Sequence, residues 1–403
     1  MNQSVTTANF KHYFNVMFLG AFNDNLFKNA LLLLIALELT SSPQTAALYL
    51  NIAAISFILP FLLFSHWAAR WAAPMAPDRV IVICKVLEVW IMSLALFFLI
   101  FQQLEVLLLL LFFMGVQSTL FGPIKFAWLP ELVTEQKLLQ ANANVEMATF
   151  IAILLGSLTA ALLVDFAFFS VIVGLCCVLT ALIGLTYARQ LTPSAPLVEL
   201  QQTTHSQQIK PINLWLILGS SWFWFIGASL LTQLPLLSHW LFGQGPSDVS
   251  LILIIFTFGI IVAALVCHLI PEHHQLLNYS IAGKILSLFA LAVAVQSNSN
   301  AVLTLTALAF CSGFAGIFVI KLMTLIQTYN PKQRRLFIIA QVNWFNAVLM
   351  LLSGIFAIAI LSVLALDLSQ FLWILAFINA AILSLWLYWR RRIKLHMDTS
   401  LQF

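Results

Sequence analysis

In a chain of 403 residues, 62% are hydrophobic and 8% charged, with a mean hydropathy of +1.01, whereas about a quarter of the residues of a soluble domain carry charge. A formal net charge of +4 excludes a nucleic-acid partner, and so apolar a chain is excluded from intrinsic disorder. What remains is an all-α polytopic membrane protein, because lipid cannot satisfy open backbone groups and the apolar runs far exceed the roughly ten alternating residues of a barrel strand.

Twelve runs are long enough to cross a bilayer, at roughly 13–37, 45–68, 79–101, 105–127, 139–163, 167–189, 212–240, 248–270, 279–296, 301–326, 335–363 and 367–389. The first holds Asp24 and Lys28 and lacks a short apolar core followed by small residues, so it is expected to be an uncleaved span. At about 100° per residue, Asp24, Asn25, Lys28 and Asn29 fall within an arc of about 140°, and Asn23 lies apart. Asp24 and Lys28 are four positions apart, a spacing that permits an ion pair, and Asp24 sits about 15 Å into the span. Buried charge in lipid is costly and the neighbouring amides serve no purpose against acyl chains. The group is therefore a candidate substrate-binding surface.

The third span carries Lys85 and Glu88, three apart, and the fifth carries Asn142, Glu146 and Thr149 on one stripe. Lys125 and Lys321 lie near span ends, where long side chains snorkel. Three acids, Asp24, Glu88 and Glu146, balance three deep bases, Lys28, Lys85 and Lys284. Such balance fits internal pairing and equally a cavity for a zwitterion. In the seventh span Trp222, Phe223, Trp224 and Phe225 stand where the first has Asn23, Asp24, Asn25 and Leu26. An aromatic wall suits the tail of an amphiphile, and helix packing is its other reading. Gln233 and Pro235 are expected to kink that span. Asn343 and Asn346 add two amides to the eleventh.

The five cysteines lie inside apolar runs and read as small core residues. His268, Glu272, His273 and His274 read as a solvated loop. No nucleophile elbow, zinc-protease helix or phosphate loop occurs, so no enzymatic activity, metal or cofactor is expected.

The polar break from Gln190 to Pro211, at mid-chain, reads as a linker between two six-helix halves. The expected division is residues 1–189, linker 190–211, residues 212–392 and a tail at 393–403. Weak internal similarity supports it: Lys125 precedes Ala141-Asn142-Ala143-Asn144, Lys321 precedes Ala340-Gln341-Val342-Asn343, and Lys85 corresponds to Lys284. A parallel six-span repeat resembles the major facilitator architecture, whose site lies between the halves near the bilayer midplane.

Six stretches narrow the resemblance: Phe18 to Leu31 (FLGAFNDNLFKNAL), Lys85 to Glu88 (KVLE), Phe121 to Leu132 (FGPIKFAWLPEL), Val145 to Gly156 (VEMATFIAILLG), Ser221 to Gln233 (SWFWFIGASLLTQ) and Ala340 to Ser353 (AQVNWFNAVLMLLS). They are similar to the bacterial lysophospholipid transporters, particularly those fused to a lysophospholipid acyltransferase and an acyl-carrier-protein synthetase. The resemblance implies energy-independent movement of lysophosphatidylethanolamine-like lipids across the inner membrane for re-acylation. Asp24 and Glu146 would then approach the amine, Lys28 and Lys85 the phosphate, and Trp222 and Trp224 the acyl chain. Two departures stand out. Ala69, Trp71, Ala72, Ala73 and Pro74 replace the superfamily's gating motif and remove its carboxylate. The chain also closes at Phe403, so any acyltransferase or synthetase is expected as a separate partner. The rival readings are a proton-coupled exporter or importer of drugs or siderophores, and a non-transporting receptor or assembly subunit on the same scaffold.

With both termini cytoplasmic, the inner segments hold Lys11, Arg70, Arg79, Lys137, Arg189, Lys210, Lys332, Arg334, Arg335, Arg390, Arg391, Arg392 and Lys394, and the outer loops hold no Lys or Arg. In a variant without the native cysteines, cysteines at Ser42, Ser299 and Ser369 should react with an impermeant thiol reagent from outside and one at Gln201 should not. Labelling of position 201 from outside would invert the orientation.

Overall fold

A computed structural model describes residues 3–40, 42–198, 210–243, 246–270, 275–297 and 300–400. Among them there is no β-strand. The helices are α1 (Gln3–Leu37), α2 (Pro43–Ala72), α3 (Pro77–Ile100), α4 (Leu104–Ala127), the short α5 (Leu129–Leu132), α6 (Leu138–Leu163), α7 (Phe169–Arg189), α8 (Pro211–Leu231), the short α9 (Leu234–Phe242), α10 (Pro246–Leu269), α11 (Leu276–Gln296), α12 (Ala301–Tyr329), α13 (Lys332–Ala357) and α14 (Leu368–Ser400).

Eleven of these helices are long and apolar enough to span a membrane. The twelfth expected span is α1, which has ample length at 35 residues but is diluted by Asn23, Asp24, Asn25, Lys28 and Asn29. Its helix begins at Gln3, earlier than the apolar run suggests, and α14 continues past the expected span to Ser400. Both extensions are polar, and helical backbone bonding carries on where hydropathy falls away. The seventh expected span is not continuous: α8 stops at Leu231 and α9 starts at Leu234, with Pro235 in its first turn. Proline has no N–H to give the preceding turn, so the chain restarts there. In α13 the last turn passes into a π-helical turn, Ile358–Val363.

The chain forms two compact units, Met1–Ala141 with Ala148–Thr204 and Asn330–Ala347, and Asn142–Met147 with His205–Tyr329 and Val348–Phe403. In the first, α2 packs on α4, α3 on α4 and α7, and α1 on α2, α4 and α7. Leu26, Phe27, Leu31, Met92, Leu107 and Met114 are among the side chains of its core. Part of the expected linker belongs here as well: the Ser194 N–H donates to Asp78 Oδ1 at 2.9 Å, the Thr192 N–H to Asn9 Oδ1 at 3.1 Å, and Leu197 and Val198 are buried. The remainder, 199–209, lies outside the described residues, as do Glu272, His273 and His274. In the second unit α12 packs on α8, α10 and α11, and α14 on α8 and α11.

Lys85 and Glu88 form a sealed ion pair in the first unit. Lys85 Nζ lies 2.6 Å from Glu88 Oε2, and the side chains are 2% and 1% exposed. Asn23 Nδ2 donates to Glu88 Oε1 at 2.8 Å, which explains why Asn23 stands apart from the other amides of α1: it faces α3. Gly20, one turn earlier, makes the approach possible, because a Cβ there would lie 2.8 Å from Lys85 Nζ. Removing one partner of such a pair strands a buried charge, at a cost of about 3–5 kcal/mol. Lys85→Met and Glu88→Gln should each lower the thermal stability of the detergent-solubilised protein, and Lys85→Met with Glu88→Leu should recover most of the loss. Single variants as stable as the parent would refute a structural role for the pair.

Candidate functional site

The polar face of α1 meets three other helices of its unit. Asp24 Oδ2 accepts from Ser118 Oγ of α4 at 2.8 Å. Lys28 Nζ donates to Asn25 Oδ1 at 3.0 Å and stands 5.5 Å from the centre of the Phe57 ring of α2. Asn29 Nδ2 donates to Ser157 Oγ of α6 at 3.0 Å and to the Asn25 carbonyl at 2.8 Å. The approach of α6 is close, since a Cβ on Gly156 would lie 2.6 Å from the Phe22 carbonyl oxygen. Asp24, Lys28 and Asn29 are partly exposed, and Asn25 is buried.

The ion pair that the spacing of Asp24 and Lys28 permits is not formed within 4 Å. Among the described residues, ion pairs within 4 Å join Lys85 to Glu88, and Lys332 and Arg335 to Glu131. Lys28 reaches back to Asn25, three positions earlier, while Asp24 reaches the α4 hydroxyl. Each charged group thus has a neutral hydrogen-bond partner and no ion pair within 4 Å among the described residues. A carboxylate with one neutral donor and an ammonium with one neutral acceptor on the same face are equipped to receive a ligand bearing both charges. Lys85 and Glu88 differ, since each already holds the other.

The other candidates disperse. Asn142 is fully buried in the second unit, where its Nδ2 donates to Gln327 Oε1 at 2.5 Å and Thr324 Oγ1 at 3.1 Å, both on α12. Glu146, one turn on, is 5% exposed. In the first unit Thr149 Oγ1 accepts from Lys125 Nζ at 3.0 Å. Asn343 lies close against Gly122 of α4, its buried Nδ2 without a hydrogen-bond partner among the described residues, and Asn346 is partly exposed. The aromatic stretch of α8 divides between faces. Trp222 stacks on Phe225 with centroids 4.6 Å apart and donates to Asn379 Oδ1 of α14 at 3.0 Å. Trp224 sits edge-on to Phe223 at 5.3 Å.

Three participants escape a reading of the sequence. Ser118, which holds Asp24, belongs to the polar run Gln117-Ser118-Thr119 of α4, a legible signal. Asn379 is fully buried and alone among apolar neighbours. Glu131 of α5 accepts from Arg335 Nη1 at 3.2 Å and lies 3.8 Å from Lys332 Nζ, and nothing local marks it as their partner. Where the usual gating carboxylate is missing, Ala69, Ala72 and Ala73 are buried in the closing turn of α2.

Comparison with known proteins places the chain in a family. A lysophospholipid transporter LplT of Enterobacter sp. (strain 638) is 30% identical over 132 residues, which is 29% of this chain and 32% of that protein. LplT of Citrobacter koseri is 30% identical over 129 residues, again 29% and 32% of the two chains. The matched region thus spans about a third of the length of these relatives. The E. coli fucose:proton symporter FucP superposes with a TM-score of 0.74 at 14% identity, over 95% of this chain and 98% of that one, a likeness of fold. The sequence pattern of the Major Facilitator Superfamily runs through residues 13–354, from the first span into the eleventh. With that match and with its long apolar helices, this multi-pass membrane chain belongs to the major facilitator superfamily of transporters.

Proposed function

We propose that the protein carries lysophospholipids with a zwitterionic head, such as lysophosphatidylethanolamine, across the bacterial inner membrane as an energy-independent facilitator. The observation that carries this reading is the α1 surface: Asp24 and Lys28 lie one turn apart, both partly exposed, each hydrogen-bonded to a neutral group, with no ion pair between them within 4 Å. Asp24 would receive the ammonium of the headgroup and Lys28 its phosphate, recovering part of the desolvation each charge has paid. Asn29 would steer the head by hydrogen bonding. The names of the LplT relatives point to the same substrate class.

Transport would proceed by alternating access of two six-helix halves, residues 1–189 and 212–392, with both termini cytoplasmic. A separate acyltransferase would re-acylate the delivered lipid, with an acyl-carrier-protein synthetase supplying the activated acyl group. In vesicles containing the purified protein, labelled lysophosphatidylethanolamine should cross faster than diacyl phosphatidylethanolamine, and a protonophore should leave the rate unchanged. Asp24→Asn and Lys28→Ala should each cut the rate about tenfold or more, as expected when one charge-assisted contact of more than about 1.4 kcal/mol is lost. Flux that collapses with the protonophore would establish proton coupling instead. No lysolipid flux above protein-free vesicles would remove lipid transport altogether.

A further inference from the structure

Serine and threonine inside a helix commonly give their proton to a carbonyl one turn back in the same helix. In the first unit Ser93, Thr119 and Ser157 do so, at 2.7, 2.7 and 2.8 Å. Ser118 of α4 departs from this habit. Its hydroxyl reaches across to Asp24 Oδ2 of α1 at 2.8 Å, with Gln117 Oε1 a more distant acceptor at 3.3 Å. One proton cannot serve both fully, and the shorter contact is the charge-assisted one to the carboxylate.

The surrounding helices hold that hydroxyl in place. Gly115, almost one turn before Ser118, lets α4 press on α2, since a Cβ there would lie 2.6 Å from the Phe57 carbonyl oxygen. The ring of the same Phe57 stands 5.5 Å from Lys28 Nζ. Lys28 has an oriented neutral partner of its own: Asn25 gives Nδ2 to the Ala21 carbonyl at 2.8 Å and turns Oδ1 to the ammonium at 3.0 Å. Asp24 and Lys28 are four positions apart, the spacing at which helical side chains meet, and yet no ion pair joins them within 4 Å.

We propose that Ser118 is the positioning residue of the α1 surface: it holds Asp24 off Lys28, so that the two charges are offered separately to a headgroup carrying both. This rests on the lysophospholipid reading above. Where the dielectric is low, opposite charges one turn apart attract strongly, and a carboxylate deprived of its donor has Lys28 as the nearest cation on its own helix. Once closed, that pair competes with the ligand, because the ammonium and the phosphate of the head must each displace an opposite charge. A hydroxyl orients the carboxylate without neutralising it, and the charge of Asp24 is left for the ligand to meet.

In vesicles, Ser118→Ala should raise the half-saturating content of lysophosphatidylethanolamine about fivefold or more with the maximal rate unchanged, the loss expected of one hydrogen bond to a charged group. Ser118→Thr, which restores the donor, should recover most of it. Thr119→Val, which removes a hydroxyl spent on its own helix, should leave the half-saturating content as it is. A fall in maximal rate alone, a rise shared by Thr119→Val or a failure of Ser118→Thr to recover would reduce Ser118 to a packing residue. A second measurement needs no substrate. In the melting temperature of the detergent-solubilised protein, Asp24→Ala and Lys28→Ala should be additive in the parent and coupled in the Ser118→Ala background, where the pair can close. Additivity in both backgrounds would refute the proposal even if lysolipid flux is observed, and coupling without any lysolipid flux would uphold the role of Ser118 while removing the lipid as substrate.

Discussion

A lysine and a glutamate withdrawn almost wholly from lipid and water are tolerable only together, and in this protein their pairing determines how the first helix sits. Glu88 spends one oxygen on Lys85 and the other on Asn23, so the carboxylate joins the two helices through a charge and an amide at once. Because Asn23 is committed to α3, the next residues of α1 turn about 100° per position away from it, and Asp24 reaches α4. Lys28 and Asn29 follow on adjoining faces, toward α2 and α6. The partly exposed charges of the candidate site thus take their orientation from a pair that is itself closed to any ligand.

The number and order of the membrane helices were legible because a bilayer imposes length and apolarity on each crossing, and hydropathy reads both directly. The break before Pro235 was legible for a chemical reason, the missing N–H. Helical periodicity also separated Asn23 from Asp24, Asn25, Lys28 and Asn29. It states which residues share a face, however, and is silent on what that face meets. Asp24 was four residues from Lys28 and chose Ser118, 94 positions away; Trp222 chose Asn379 at a separation of 157; Glu131 met Arg335 at 204. Such partners are created by packing. Helix ends failed for a different reason, since hydropathy stops at the apolar boundary while hydrogen bonding carried α14 to Ser400.

The two units solve the problem of buried polarity by different means. In the first, charge meets opposite charge at Lys85 and Glu88, and hydroxyls and amides surround Asp24 and Lys28. In the second, the buried ammonium nitrogen of Lys284, the counterpart of Lys85, has no hydrogen-bond partner among the described residues and stands 4.7 Å from the centre of the Phe318 ring. The position three residues on, glutamate in α3, is Ser287 in α11. An aromatic face thus stands where an ion pair would, in keeping with the tryptophan-rich packing of α8 against α14.

Gly20 shows how narrow the margin around the ion pair is. Its missing side chain is the space into which Lys85 extends, so the smallest possible enlargement, a single methyl, would reach the ammonium nitrogen before any other atom. Relief cannot come from α1, whose backbone supplies the wall. In genetic terms, a change at position 20 puts its demand on α3, where Lys85 must turn aside, so its suppressors should alter Lys85 and Glu88 together, and a search for revertants would trace the charge pair.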